Sequence, residues 1–381
     1  MKVLFYTAAC MLDISLEYIN MIKHKSQLHV LIEITPLTKG SNILNIEHLP
    51  NQPALMSPIE LLSNEDLKYF QYYFQGVASV QFVVHTTKSG LSLKSLKASQ
   101  MAANFISALN PDIIHYELET MSLRSLWLVR CFNACKNLQI TIHDPEQHPG
   151  ETNIKTIFAR RIFANLNVQK FHFYSSYAKN RYYQKFKEKG PHEIIQMRTY
   201  SFYRNFIHPI EKKHAHILFF GRISKYKGVD IFLNSITKVL KSHPHTQFII
   251  AGKESNGYVL ENSIIKNHPR NIQYMNRHIG NKELAELVYH AKFTVCPYIE
   301  ASQSGVLMTS YAMSTPVLAT RVGAFPEYVI ENFNGCLVQP NDVDALANKI
   351  IELLENNAYL KMTQNLRDEI DNPKEHTLTL R

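Results

Sequence analysis

Residues 297–327 read PYIEASQSGVLMTSYAMSTPVLATRVGAFPE, and the rest of the chain is organised around them. An apolar, strand-like run at residues 293–296 comes before it, and a small polar turn at residues 302–305 opens a helix-like apolar run at residues 306–313. Free backbone N–H groups at a helix start, with the positive end of the helix dipole behind them, form an anion site. We therefore predict a strand, a tight turn and an anion-binding helix start at the carboxyl end of a parallel sheet.

The length and composition of the chain predict a globular protein of two domains. A chain of 381 residues, 45% hydrophobic and 19% charged, exceeds what a single core usually organises. Residues 1–8 resemble a core strand more than a leader, and no apolar run reaches 18 residues. The five cysteines are scattered, and Cys131 and Cys135 have no third and fourth ligand nearby. We expect reduced thiols in a cytoplasmic protein and no zinc site.

The basic residues are concentrated in the first half of the chain. Residues 1–205 hold 22 Lys and Arg against 15 Asp and Glu, and residues 155–204 alone hold 11 against two, with aromatic residues between them. Such a segment suits an anionic membrane surface, a phosphate-bearing acceptor or nucleic acid, of which nucleic acid is the weakest expectation. A solvated helix face is the equal alternative.

Strand-like and helix-like segments alternate along both halves. Residues 2–8, 28–34, 77–84, 112–116 and 138–142 are predicted strands, and the same alternation restarts at His214. This order favours two parallel sheets in series, with a linker near residues 201–213. Neither G-x-G-x-x-G after the first strand nor a P-loop is present, which disfavours NAD, FAD and P-loop nucleotide binding.

Five stretches carry a resemblance to a known family. They are residues 111–115 (PDIIH), 141–145 (TIHDP), 221–228 (GRISKYKG), 297–305 (PYIEASQSG) and 316–327 (PVLATRVGAFPE). In this order they resemble the retaining glycosyltransferases of family GT4, which have the GT-B fold. The resemblance implies an α/β protein of two Rossmann-like, doubly wound domains that face each other across a cleft.

The domain boundaries follow from this resemblance and from the predicted linker. Residues 1–205 would form an acceptor-binding domain, and residues 206–362 a domain that binds the nucleotide-sugar donor. Residues 363–381 would form a C-terminal segment that packs back towards the first domain.

Arg222 and Lys227 are the predicted diphosphate ligands. Breaking the sugar–phosphate bond of a nucleotide sugar builds negative charge on the leaving phosphate, and fixed cations stabilise that transition state. Arg222 can bind a phosphate with two donors while Lys227 acts as a point charge. Both match the arginine–lysine pair of the family, in a turn that begins at Gly221, a further donor-binding candidate.

Glu300 matches the first acidic residue of the family's paired-glutamate motif, which binds hydroxyls of the transferred sugar. A carboxylate is a suitable acceptor for such hydroxyls. Ser302, Ser304 and Gly305 would bind phosphate in place of the family's usual Gly-Phe-Gly turn. Thr309 stands where the family has a ribose-binding glutamate, so either this is a variant subgroup or the activity is lost.

His143 resembles the first-domain histidine that contacts the donor sugar or phosphate. Asp144 and His148 follow it and are predicted to lie on the acceptor side. No Asp-x-Asp stretch occurs at a strand end, so we predict no catalytic metal and no cofactor. The resemblance also implies retention of configuration, with the donor phosphate deprotonating the acceptor.

The sequence as a whole predicts a retaining hexosyltransferase with a nucleotide-sugar donor and a glycan or lipid-linked acceptor, in cell-surface polysaccharide biosynthesis. A cytoplasmic location is expected, with the inner face of an anionic membrane as a partner. The alternative is a catalytically weak homologue that binds carbohydrate or nucleotide, motivated by Thr309 and by Ser314, where the family usually has glycine. An inverting transferase or an epimerase on the same fold fits the motifs less well.

Overall fold

The computed structural model describes residues 1–38, 43, 44, 46, 49–117, 123–146, 154–164, 166–187, 190–207, 211–255 and 257–372. The chain divides into two compact units, and among these residues the first unit ends at Ile195 and the second begins at Gln196. The division lies upstream of the 205/206 boundary predicted from the sequence. One reason is that the backbone N–H of Tyr200 donates to the carbonyl of Met308, 3.2 Å away, inside the second unit.

The first unit alternates strands and helices. Its strands are β1 (Lys2–Ala8), β2 (Gln27–Ile34), β3 (Ala54–Met56), β4 (Ser79–Val84), β5 (Ile113–Glu117), β6 (Leu138–Ile142), β7 (Val168–Phe173) and β8 (His192–Ile194). Its helices are α1 (Leu12–Ile22), α2 (Pro58–Leu61), α3 (Asn64–Phe74), α4 (Leu93–Leu109), α5 (Val129–Ala134), α6 (Ile154–Ala164) and α7 (Ser176–Lys185), with 3-10 turns at Ala9–Met11 and Leu123–Leu128. In the described part of the chain these strands form one sheet in the order β3-β4-β2-β1-β5-β6-β7-β8.

The second unit repeats the alternation. Its strands are β9 (His216–Phe220), β10 (Phe248–Ala251), β11 (Ile272–Met275), β12 (Ala291–Cys296), β13 (Val317–Thr320) and β14 (Gly335–Val338). Its helices are α8 (Val229–Ser242), α9 (Ser263–Asn267), α10 (Asn281–Tyr289), α11 (Gly305–Ala312), α12 (Phe325–Tyr328), α13 (Val343–Glu355) and α14 (Ala358–Asp371), with 3-10 turns at Ser201–Phe206 and Lys225–Lys227. The described strands form a second sheet in the order β11-β10-β9-β12-β13-β14.

Burial explains why these segments form parallel sheets. Every residue of β9 is buried, and β1 is buried from its second residue onward. Strands covered by helices on both faces need such continuous apolar runs. Helix α8 buries Val229, Phe232, Ile236 and Val239, at the spacing of one helix face. The predicted doubly wound parallel sheets are therefore confirmed, with β3 as an antiparallel edge strand that the sequence analysis did not predict.

The strand order reverses once in each sheet. In the first sheet the reversal lies between β1 and β5, and in the second between β9 and β12. Open α/β sheets bind ligands outside the carboxyl ends of the strands at such reversals. The residues that follow β1, β5, β9 and β12 are therefore the first places to look for a site.

The C-terminal region differs from its predicted division at 362/363. Helix α14 runs through that point without a break, and residues 373–381 lie outside the described residues. Packing of this segment towards the first domain stays a prediction. In the described residues no helix is long and apolar enough to cross a membrane, and all five cysteines are free thiols.

Candidate active site

The turn after β9 places a lysine side chain against the backbone of a glycine. Gly221 has a φ of +106° and Gly228 a φ of +63°, values that glycine adopts without steric cost. A Cβ placed on Gly221 would lie 3.2 Å from Lys227 Nζ and 3.6 Å from a methyl of Val306. The Lys227 ammonium therefore lies against the strand end, close to the first turn of α11.

Tyr298 stands behind this lysine and is buried. Lys227 Nζ is 4.9 Å from the centre of the Tyr298 ring, a cation–π distance. Burial raises the pKa of Tyr298 well above its usual value, so the phenol stays neutral. The positive charge of the exposed Arg222 also reaches Tyr298 and opposes this rise. Both predicted diphosphate ligands thus lie around one buried tyrosine.

Backbone contacts fix the turn after β9 to the loop after β12. The N–H of Ile299 donates to the carbonyl of Tyr226, 2.7 Å away. A Cβ on Gly228 would overlap the carbonyl oxygen of Pro297 and lie 3.1 Å from its carbonyl carbon. Only glycine lets these two segments approach so closely. The two strands that flank the reversal in the second sheet therefore hold their loops in one arrangement.

The loop after β12 leads into α11 as the sequence predicted. Glu300 is half-buried, while Ser302 and Ser304 are buried. Ser304 Oγ accepts the N–H of Val306 at 3.3 Å and caps the helix. A Cβ on Gly305 would lie 2.9 Å from the Tyr200 ring. The sequence analysis missed Tyr200 because its contact with Gly305 is long-range and leaves no local signal.

The loop after β13 supports the loop after β12 from the other side. Gly323 has a φ of +51°, and a Cβ there would overlap the carbonyl oxygen of Ala301. The N–H of Ala324 donates to that same oxygen at 3.1 Å. Thr320 Oγ1 donates to the carbonyl of Tyr298 at 2.5 Å. These contacts hold the loop after β13 against the loop after β12.

The first unit has its own polar cluster at the reversal of its sheet. His143 directly follows β6 and is buried, and its Nε2 lies 3.3 Å from Oε1 of Glu117, the last residue of β5. Glu117 accepts hydrogen bonds from the hydroxyl of Tyr174 at 2.5 Å and of Ser15 at 2.6 Å. Glu117 and its two hydroxyl donors were not singled out from the sequence, where they lie far apart.

Asp13, in the first turn of α1, borders this cluster. Burial raises the pKa of Asp13 to about 6. The N–H of Ile14, which donates to Asp13 Oδ1 at 2.9 Å, and the charge of His143 both oppose that rise. Asp13 is more accessible than Glu117, since its side chain is only partly buried. The first unit therefore holds two carboxyl groups near His143.

The comparison with family models decides what the second unit is. Residues 214–356 match the model described as glycosyl transferases group 1. These residues therefore resemble a glycosyltransferase group 1 domain. The matched range contains the turn after β9, the loop after β12 and α11, which are the elements of the candidate site.

Curated relatives resemble part of this chain rather than its whole length. An uncharacterized glycosyltransferase of Methanocaldococcus jannaschii is 32% identical over 144 residues, which is 38% of this chain and 39% of the relative. Glycogen synthase of Mycobacterium tuberculosis is 26% identical over 144 residues, 38% of this chain and 35% of the relative. The chain thus spans well under half the length of these relatives.

Solved structures resemble the chain over nearly its whole length. Sucrose-phosphate synthase from Thermosynechococcus elongatus has a TM-score of 0.66 at 13% identity, covering 97% of this chain and 94% of that one. HepE of Anabaena, solved in complex with UDP-glucose, has a TM-score of 0.64 at 13% identity, covering 98% and 95%. The fold prediction is confirmed: the chain consists of two parallel-sheet units, as in the GT-B glycosyltransferases.

The structure brings some of the predicted site residues together. Lys227 lies over the ring of Tyr298 and next to Gly221, beside the first turn of α11 that Ser304 caps, and the charge of Arg222 reaches the same tyrosine. Their roles, and those of Glu300, Ser302 and Gly305, stay predictions.

Other predicted residues are poorly accessible, belong to the first unit or lie outside the described residues. Thr309 lies inside α11 and is only 3% exposed, so its side chain does not line the surface. His143 and the half-buried Asp144 lie in the first unit, and His148 lies outside the described residues. The donor role of Thr309 and the acceptor-side roles of Asp144 and His148 remain untested.

Proposed function

We propose that this protein transfers a sugar from a nucleotide-sugar donor to a hydroxyl of a glycan or lipid-linked acceptor, with retention of anomeric configuration. The observation that carries the proposal is the position of Lys227 Nζ against Gly221, at the strand reversal of a glycosyltransferase group 1 domain and beside the first turn of α11. A diphosphate bound there would meet a cation, a backbone that carries no Cβ and the positive end of a helix.

The chemistry follows from the charge that develops during transfer. When the bond between the sugar and the donor diphosphate breaks, negative charge grows on the leaving phosphate. Arg222 and Lys227 would stabilise that charge, and the half-buried carboxylate of Glu300 would accept hydrogen bonds from the sugar hydroxyls. A phosphate oxygen on the same face of the sugar would take the proton of the acceptor hydroxyl, which gives retention.

Transfer is tested with Lys227→Met and a matched control. Lys241 is an exposed lysine in the last turn of α8, and because α8 begins near the carboxyl ends of the strands, its last turn lies away from the site. We expect Lys227→Met to lower kcat by roughly 10²-fold, as removal of one charge-stabilising donor does, and Lys241→Met to leave it unchanged. Equal rates for wild type and Lys227→Met would overturn the role of Lys227.

The donor and the stereochemistry need separate measurements. A panel of UDP-, GDP- and ADP-sugars identifies the nucleotide, and proton NMR of the product identifies the anomer. We propose that transfer needs no divalent metal, with the two cations neutralising the diphosphate, and a rate that falls in EDTA and returns with Mg²⁺ would refute this. Transfer at the level of buffer alone, together with measurable nucleotide-sugar binding, would instead support the weak homologue, which the burial of Thr309 favours.

We also propose that the first unit contacts an anionic membrane surface, where a lipid-linked acceptor of a cell-surface polysaccharide would be met. Helix α6 exposes Ile157 and Phe158, at 39% and 54%, and Arg161 is exposed on the same helix. Apolar side chains beside a basic residue suit the boundary between headgroups and acyl chains. Sedimentation with vesicles of rising anionic lipid content tests this, and Phe158→Ser should release the protein; indifference to lipid charge would leave α6 a solvated face.

A further inference from the structure

Glu117 occupies a costly position for a carboxylate. It is the last residue of β5, its exposed fraction is 0%, and it lies at the strand reversal of the first sheet. A buried ionised carboxylate is unfavourable unless hydrogen bonds or a counter-charge compensate it. Two hydroxyls donate hydrogen bonds to Glu117, and Nε2 of His143 lies 3.3 Å from its Oε1.

A second buried glutamate in the same unit forms an ordinary ion pair with an arginine and serves as a comparison. Glu33, near the end of β2, is 4% exposed and lies 3.3 Å from the guanidinium of Arg124. Its distance to the nearest imidazole nitrogen, Nε2 of His85, is 3.9 Å. Glu33 thus has a fixed cation as its main partner, whereas Glu117 has two hydroxyls and an imidazole as its neighbours.

The hydroxyl groups around Glu117 fix the orientation of its carboxylate through hydrogen bonds. Ser15 donates to Oε2, and Thr7 Oγ1 lies 2.7 Å from Ser15 Oγ, which ties that oxygen to the end of β1. Tyr174 donates to Oε1, the oxygen that also faces His143. The rings of Tyr174 and His143 lie 5.1 Å apart at an angle of 46°. The imidazole is therefore packed by the ring that orients its carboxylate partner.

We propose that Glu117 is the positioning residue of His143, fixing the orientation of the imidazole and holding a proton on Nε2. The inference rests on the proposed function, in which His143 contacts the donor sugar or its phosphate. A carboxylate beside one ring nitrogen selects the tautomer that carries its proton there, and so decides what the other nitrogen offers. Glu117 acts through His143 and has no direct role at the reacting atoms.

The test uses Glu117→Gln, which keeps the size of the side chain and removes its charge. The ¹⁵N chemical shifts of His143, assigned by their loss in His143→Asn, should show a protonated Nε2 in the wild type and a mixed tautomer in Glu117→Gln. We expect kcat to fall about 10-fold, while the Kd for the nucleotide sugar changes less than twofold, since Arg222 and Lys227 are unchanged. Tyr174→Phe removes one hydroxyl donor but keeps the negative charge of Glu117. It should therefore shift the ¹⁵N signals of His143 by less than Glu117→Gln does.

Glu33→Gln is the matched control, because it makes the same change at a similarly buried position. It should lower stability without altering the His143 signals or kcat per folded molecule; if it does not fold, Tyr6→Phe replaces it, since Tyr6 donates to Glu33 at 3.3 Å. Unaltered His143 signals in both Glu117→Gln and Tyr174→Phe would overturn the proposal, as would a kcat loss no larger than that of the control. If the wild-type protein transfers no sugar, only the proposed function is contradicted. The ¹⁵N signals of His143 would still show whether Glu117 orients the imidazole.

Discussion

Replacing Gly228 by alanine tests how the site is held together. The left-handed backbone of Gly228, at a φ of +63°, costs an alanine about 1 kcal/mol. The new Cβ would also overlap the carbonyl oxygen of Pro297 and lie 3.3 Å from Ile231 Cδ1. Forcing a methyl group into packed surroundings costs a further 1–3 kcal/mol or so. We expect Gly228→Ala to lower the free energy of unfolding of the second unit by about 3 kcal/mol, and to weaken nucleotide-sugar binding because Lys227 is its neighbour.

Gly257 provides the matched control for this change. Its φ is +81°, and no described atom lies within 4 Å of the position a Cβ would take. Gly257→Ala should therefore cost only the backbone contribution, about 1 kcal/mol. Urea unfolding followed by far-UV circular dichroism measures both variants. The single tryptophan, Trp127, lies in the first unit and should report an unaltered transition there. If Gly228→Ala costs no more than Gly257→Ala, the contact with Pro297 does not exist as described.

Three further predictions concern stability. Lys212 Nζ donates to the carbonyl of Ser314 at 2.8 Å and to Thr315 Oγ1 at 2.7 Å. Lys212→Met should therefore lower the free energy of unfolding, measured with urea, by about 2 kcal/mol. An unchanged free energy would show that these hydrogen bonds contribute nothing to stability. Burial lowers the pKa of four histidines to about 4, whereas an unfolded histidine titrates near 6.5. The four are His85, His172, His214 and His216. Between those pH values the unfolded state binds more protons than the folded state. The free energy of unfolding should therefore fall as the pH falls from about 6.5 to 4, by up to about 3 kcal/mol per histidine. A urea midpoint that stays constant over this pH range would contradict this prediction. Finally, Thr309→Glu should lower the melting temperature without tightening donor binding, because it buries a charge inside α11; tighter binding would show that this position reaches the donor.

Local patterns predicted the sheets and the loops of the second unit. Apolar runs such as residues 216–220 are buried throughout, and Gly221 ends the first of them in a conformation that suits glycine. Strand ends and helix starts are encoded within a few residues, so the sequence placed Lys227 and the first turn of α11 in adjacent loops. Both lie at the strand reversal, where parallel topology gathers the loops that follow neighbouring strands.

Long-range contacts were not predictable from the sequence. The ring of Tyr200 packs against Gly305 across more than a hundred residues, and no local pattern indicates it. The same holds for Glu117, which follows the predicted strand at residues 112–116 and which the fold places beside His143. Lys212 is a third case, because its charge suggested exposure but it is 7% exposed and donates to the carbonyl of Ser314, just after α11.

The central claim is that Lys227 and its turn bind the diphosphate of a nucleotide sugar. Isothermal titration calorimetry of the full chain with UDP-glucose, and then with GDP- and ADP-sugars, tests it most directly. We predict saturable binding of one nucleotide class, weakened by one to two orders of magnitude in Lys227→Met, as the loss of a charged hydrogen bond implies, and unaltered in Lys241→Met. Absence of binding for every nucleotide sugar, or equal affinity in Lys227→Met and the wild type, would contradict the account.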